Sequence, residues 1–263
     1  MKQFLYIIGL TLVFSSCQKV IDVDLNEANP VHVIEANYSA EDSTVNVRIT
    51  ITSSYFDNNP SPEVNNAVIE IVDASGVAIP VPFISNGNYM LTSYAPQFNT
   101  EYTINVNIDG NTYTATCVMS DPVQLDSITY QYFDGFFGSG GGYTPLLNYS
   151  DPAGESNYYQ VILSRNDTTF NTLDDFFTQD DQLTDGNYVQ RPLFLKNFYQ
   201  LNDSVHMEMR TIDKRIYDYI DQAQSISGSQ NSAAPGNPTN NWNNGALGYF
   251  SAYSSSHQSV IIQ

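Results

Sequence analysis

The chain has 263 residues, 41% of them hydrophobic and 13% aromatic, and only 14% charged. That apolar fraction suits one large or two modest packed domains and excludes general disorder, which goes with a scarcity of aromatic residues. With 28 acidic residues against 9 basic ones the formal charge is -19, so nucleic-acid backbones and anionic headgroups are repelled rather than bound.

Lys2, the apolar run over residues 4–14 and the small residues Ser15 and Ser16 read as a secretory signal over residues 1–16. The run is too short to span a membrane, which takes about 20 apolar residues, and nothing later in the chain approaches that length. The Phe-Ser-Ser-Cys ending at Cys17 resembles a bacterial lipobox, in which the cysteine is lipidated and becomes the first mature residue. An ordinary signal peptide with an incidental cysteine is the alternative. Lipidation of Cys17 leaves Cys117 without a partner, so the exported chain is expected to hold together without a disulfide. Residues 17–30 are then a lipidated tether.

The body reads as strands. Residues 44–51 alternate strictly, with Val45, Val47, Ile49 and Ile51 on one face. A short β-branched strand over 67–72 ends at the turn Asp73-Ala74-Ser75-Gly76, and Asn86-Gly87 marks another turn. The strongest hairpin signal is Asp109-Gly110 between TINVNI and NTYTATCVM, because a two-residue type I′ turn needs positive φ at both positions. That loop sets Val106 against Tyr113, Ile104 against Ala115 and Tyr102 against Cys117 on one buried face, which makes Cys117 an inert core thiol. Residues 31–120 thus predict a β-sandwich of roughly seven short strands, closed off by Asp121-Pro122.

A second β-rich domain of fibronectin III-like type is expected over residues 121–263. Its strands are predicted at 126–133, 143–149, 157–165, 193–199 and 204–211, with return strands at 245–253 and 260–262. Between them lie polar loops, including the glycine-rich run 138–142 and the acidic stretch 173–186. Ile212, Ile216, Tyr219, Ile220 and Ala223 form a helical stripe, so a helix over 212–224 is predicted to cover an open end of this second sandwich.

Several motifs together resemble a lipoprotein family of the Bacteroidota known as domain of unknown function 4249. They are the mature start from Cys17 through Ile21-Asp22-Val23-Asp24-Leu25, the AVIEI strand before Asp73, and Gly87-Asn88-Tyr89. Asp151-Pro152-Ala153-Gly154 with Asn157-Tyr158-Tyr159 follows, and the tail holds Pro235, Pro238, Asn241, Gly245 and Leu247-Gly248-Tyr249-Phe250. Trp242 and Ala246 depart from the tail pattern. The resemblance covers the mature length. It implies a lipid anchor in the outer membrane, an N-terminal immunoglobulin-like sandwich, frequent association with TonB-dependent transporter barrels, and no established catalytic residues.

The residues themselves offer little chemistry. Of the three histidines, His206 lies in an alternating strand, His257 in a serine-rich stretch and His32 at a strand opening, and no nucleophile elbow, zinc motif or phosphate loop is present. No cofactor is expected. Asp174, Asp175, Asp180, Asp181 and Asp185 supply oxygen ligands of the kind calcium takes, but the spacing is not that of an EF-hand, and a solvated acidic loop is the preferred reading. Aromatic residues carry more interest. Phe136 and Phe137 between turn residues, Tyr143 after the glycines, and Trp242 in an Asn/Pro-rich loop are the candidate partner or ligand contacts.

Three functions remain. The family context favours an accessory or docking lipoprotein of a TonB-dependent barrel, at the cell surface or on the periplasmic face. A scaffold lipoprotein of a larger assembly or secretion complex and a carbohydrate-binding surface lipoprotein are the alternatives. Exposed aromatics around a concave pocket would favour ligand capture, and a flat apolar patch would favour docking.

Overall fold

Alternation of apolar and polar residues builds the first core. In the computed structural model, which describes residues 29–54, 59–135, 140–228 and 236–263, β1 (His32–Ser39) and β2 (Thr44–Ile51) run antiparallel with Ala36 opposite Val47. Ile34, Ala36 and Tyr38 of β1 and Val45, Val47 and Ile49 of β2 are buried. Four short strands and a long hairpin follow: β3 (Val68–Val72), β4 (Ala78–Pro80), β5 (Phe83–Ser85), β6 (Asn88–Leu91), β7 (Thr100–Ile108) and β8 (Asn111–Met119). Asp109 and Gly110 both have positive φ, 50° and 85°, as their turn type requires. The hairpin register is the predicted one, Val106 opposite Tyr113, Ile104 opposite Ala115 and Tyr102 opposite Cys117, and all six are buried. Burial pushes the Cys117 thiol well above its ordinary range, which keeps it protonated and unreactive.

The remaining elements are β9 (Leu125–Phe133), β10 (Gly142–Ser150), β11 (Tyr158–Arg165), β12 (Thr168–Thr169), β13 (Phe177–Asp180), β14 (Tyr188–Pro192), β15 (Ser204–Thr211), helix α1 (Lys214–Gly228) and β16 (Leu247–Ile261). The chain is all-β apart from α1 and a single 3-10 turn among the described residues, and its sheets pack as sandwiches. One nine-stranded sheet runs β12-β11-β15-β16-β1-β2-β6-β5, with β13 also on β11. The sheet β4-β3-β7-β8 shares a core with its β1, β2 and β6 half. The sheet β14-β10-β9 shares a second core with β11 and β15.

β16 joins the halves. Its residues Leu247 to Tyr253 pair parallel to β1, and Ser254 to Ile261 pair antiparallel to β15. The two return strands expected at 245–253 and 260–262 are therefore one strand. Its polar middle Ser254–Ser255–Ser256–His257 gives no strand pattern, but backbone ladders do not depend on side-chain polarity. Residues 121–263 are not confined to the second sandwich, because β16 returns to β1.

Helix α1 begins and ends later than the predicted 212–224. Asp213 accepts the Arg215 N–H at 2.8 Å and so caps the first turn. Ile212, Ile216 and Ile220 belong to the first core, so the helix does not simply close the second sandwich as expected. The segment 193–199 is not a strand either. The strand that pairs with β10 on the side away from β9 is β14, and Pro192, which has no N–H to donate, ends it. Within the expected acidic loop lie a 3-10 turn (Leu173–Asp175) and β13.

Candidate functional site

Glycines at the entry to β10 allow an aromatic surface to form. A Cβ on Gly142 would lie 2.6 Å from the Phe198 Cβ and 2.7 Å from the Tyr199 carbonyl oxygen. Only with glycine there can the segment 193–201 lie flat on β10, where Tyr143 N–H donates to Tyr199 O at 2.8 Å and Tyr199 N–H donates to Tyr143 O at 2.9 Å. Arg165 pins the segment from beneath. Its guanidinium lies 4.4 Å over the Tyr199 ring and donates to Asn197 O at 2.6 Å.

Two aromatic sets result. Tyr143 stands edge-on to Tyr130 at 5.6 Å and to Tyr132, its direct cross-strand partner, at 5.3 Å. Phe133 meets Phe194 edge-on at 4.9 Å and stacks on Phe198 at 6.5 Å. Tyr132 is 53% exposed, Phe194 47% and Leu201 56%. These rings are held by backbone bonds and by one another, so they present apolar area without a large ordering cost.

Of the candidate contacts, Tyr143 belongs to the tyrosine set, where it and Tyr130 are half-buried against the second core and Tyr132 is the exposed member. Phe136 and Phe137 lie outside the described residues, as does the lipidation residue Cys17. Trp242 is not a surface contact. It is 8% exposed, sits in the first core, bridges to Ala115 at the edge of β8 and donates its indole Nε1–H to Ile34 O at 3.0 Å. Its polar surroundings in sequence concealed this because Asn241 and Asn243 are themselves tied to backbone, Asn241 to Thr116 O and Phe250 O, Asn243 to the Thr114 N–H. Phe194 and Phe198 were missed as site residues. The glycine run 140–142 was their only sequence signal, since close backbone approach needs a partner segment.

The five acidic candidates separate. Asp175 accepts from Thr172 Oγ1 at 2.5 Å within its own turn, and Asp180 sits in β13 opposite Tyr158; neither they nor Asp174 join a cluster. Asp181 and Asp185 instead meet Asp151, with one carboxylate oxygen from each within 4.8 Å of the others, the one such group among the described residues. Asp151 comes from the Asp-Pro-Ala-Gly turn upstream and was not a candidate. Every member already has a donor. Tyr159 OH reaches Asp151 at 2.5 Å, Asn157 N–H reaches Asp181 at 2.7 Å and Gly154 N–H reaches Asp185 at 2.7 Å. The oxygen set suits a hard cation such as calcium, but these bonds give the carboxylates a sufficient task, stapling the 151–157 turn to the 181–186 turn. Burial, with Asp181 and Asp185 nearby, raises the Asp151 pKa above its ordinary value.

Two of the three histidines meet, and His32 stands apart. His32 Nδ1 bonds Tyr113 OH at 2.9 Å. His206 and His257 lie on the solvent face of β15 and β16 in a chain from Ser259 Oγ to His206 Nδ1 (2.9 Å), His206 Nε2 to His257 Nδ1 (3.4 Å) and His257 Nε2 to Glu41 (2.5 Å). Ser259 stands on an open sheet face, with none of the strained elbow that presents a nucleophile.

A model of the family described as domain of unknown function (DUF4249) matches residues 18–259. The chain belongs to that family. Comparison with curated proteins gives no match. In this DUF4249 chain the motifs that carry the resemblance have structural roles. Gly248 has φ +95°, and a Cβ there would lie 2.2 Å from Ile34 O, so the tail motif permits β16 to pair with β1. Gly87, at φ +72°, turns β5 into β6, and a Cβ on it would lie 2.6 Å from Ile49 O.

The DUF4249 chain also has a hollow of about 330 Å³ on the outer face of the long sheet, over β16, β1, β2 and β6. Glu35, Asn37, Asn46, Arg48, Asn88 and Tyr249 line it. It lies on the first sandwich, apart from the aromatic surface of the second.

Proposed function

We propose that this protein is a non-catalytic lipoprotein of the outer membrane that docks on a TonB-dependent transporter barrel as an accessory subunit in nutrient uptake or capture. The observation that carries the reading is the preorganised aromatic cluster of Phe133, Phe194 and Phe198. It is an apolar patch braced by backbone bonds and set away from the polar hollow, as suits a protein contact with aromatic anchors. Family membership and the lipobox-like ending at Cys17 support the address. Among the described residues no helix is long and apolar enough to cross a membrane. From Cys17 to Asn29 the tether reaches at most about 40 Å, enough to bring the sandwiches alongside a barrel in the same membrane.

The test is an affinity pull-down of the tagged lipoprotein from native membranes in mild detergent. A single TonB-dependent barrel is expected to co-purify, and the double variant Phe133→Ala/Phe194→Ala is expected to lose at least nine-tenths of it while its circular dichroism is unchanged. Recovery with several assembly or secretion proteins would replace docking by the scaffold reading, and recovery alone would overturn both.

A further inference from the structure

We propose that the hollow on the outer face of β16, β1, β2 and β6 binds a neutral saccharide. The side chains around it behave differently from an ordinary solvent face. Glu35 and Arg48 are direct cross-strand partners, a position from which opposite charges normally pair. Here no side-chain hydrogen bond or ion pair within the described residues engages either of them, or Asn46. Asn37, opposite Asn46, turns away to donate to Tyr249 OH at 3.5 Å. The polar groups thus stand around the space instead of closing over it, and that space lies at the lower end of small-ligand cavities.

The chemistry of the rim selects the class of ligand. Glu35 repels an anion at contact, and the charge of -19 repels it at range. Arg48 repels a cation. A carboxylate that only accepts, a guanidinium that only donates and carboxamides that do both are together matched by adjacent hydroxyl groups, each donor and acceptor at once. Met90 and Ile84 form an apolar wall, which suits the C–H face of a pyranose ring. The floor is rigid, because Tyr89 OH donates to Val64 O and accepts from Ala67 N–H, both at 3.0 Å, and so holds β6 in place. This site is separate from the docking surface and does not depend on it.

The experiment uses the full mature lipoprotein in a polyoxyethylene detergent, which carries no sugar to compete. Immobilised neutral oligosaccharides are screened first, and the best is titrated calorimetrically as the free glycan. Saturable binding is expected, weakened at least tenfold by Arg48→Ala and by Glu35→Ala. Both residues are exposed, so the variants are expected to keep the wild-type circular dichroism. Lys196→Ala, in the second sandwich, is expected to bind as wild type. The proposal is overturned if no neutral glycan binds at millimolar concentration, if the Arg48→Ala/Glu35→Ala double variant still binds, or if free amino acids or anionic glycans bind in preference. Barrel co-purification by the same variants is expected to be unchanged, so this proposal and the docking reading can fail separately.

Discussion

In the first sandwich Tyr102 faces Cys117 across a two-residue turn, and each pair in that ladder follows by counting outward from Asp109 and Gly110. In the second, Gly142 meets Phe198 and Tyr199, Asp151 meets Asp181 and Asp185, and Arg165 supports Tyr199. The first region is organised by neighbours in sequence. The second depends on segments that find each other only after the chain has folded back. Close contact in the first comes from period-two burial; in the second it comes from absent side chains and paired polar groups, which leave no periodic trace.

The two regions are nevertheless joined at β16, and the largest expected effect tests that join. Trp242→Ala removes a core indole and the hydrogen bond to Ile34 O, and is expected to cost about 3–5 kcal/mol. Because β16 serves both cores, urea unfolding followed by near-ultraviolet circular dichroism and by tryptophan-independent probes is expected to show one transition, shifted as a whole. Two transitions, with only one of them shifted, would separate the sandwiches.

Gly142→Ala asks whether the second region really depends on close approach. Its Cβ would collide with the Phe198 Cβ and with the backbone of Tyr199, so a loss of about 1–3 kcal/mol is expected. Barrel recovery in the pull-down is expected to fall with it, because the segment carrying Phe194 is displaced. A stable variant with full recovery would show that the segment can shift without disturbing the surface.

The smallest effect concerns Asp151. Asp151→Ala leaves the Tyr159 hydroxyl without its acceptor and is expected to cost about 1–2 kcal/mol, whereas Asp151→Asn keeps an acceptor and removes one of three clustered negative charges, so it is expected to cost less. The pH dependence has a definite sign. Burial raises the folded pKa above the ordinary 3.8, so the folded state holds this proton more tightly than the unfolded chain does. The resulting stability is fully present below about pH 3.8 and is lost as pH rises through the raised value. Denaturation midpoints of Asp151→Asn measured from pH 3.5 to 7 are expected to lack that part of the slope. A slope equal to wild type would assign it to another group.

Legibility followed the range of the interactions. Alternation located β2, the β7–β8 register and β15, because each carries its own inward and outward residues, whereas β10 and β11, buried over six consecutive positions, show as apolar runs. The segment 193–199 looked like a strand because it is apolar, but its rings pack on β10 and on each other without a ladder. Trp242 looked exposed because its neighbours are polar, and those neighbours proved to be satisfied by backbone groups of β8 and β16. Asp151 was overlooked beside the denser acidic run that follows it.

The amino-acid sequence by itself determined an all-β chain, its principal hairpin, a buried unreactive Cys117 and its family, since period-two burial, turn chemistry and motifs are all local properties. Only the tertiary structure decided that β16 unites the two sandwiches, that Trp242 is core, which carboxylates meet, and where the polar hollow and the aromatic surface lie. Those outcomes depend on backbone pairing and close contact between distant segments, and neither is encoded by the identity of any single stretch of residues.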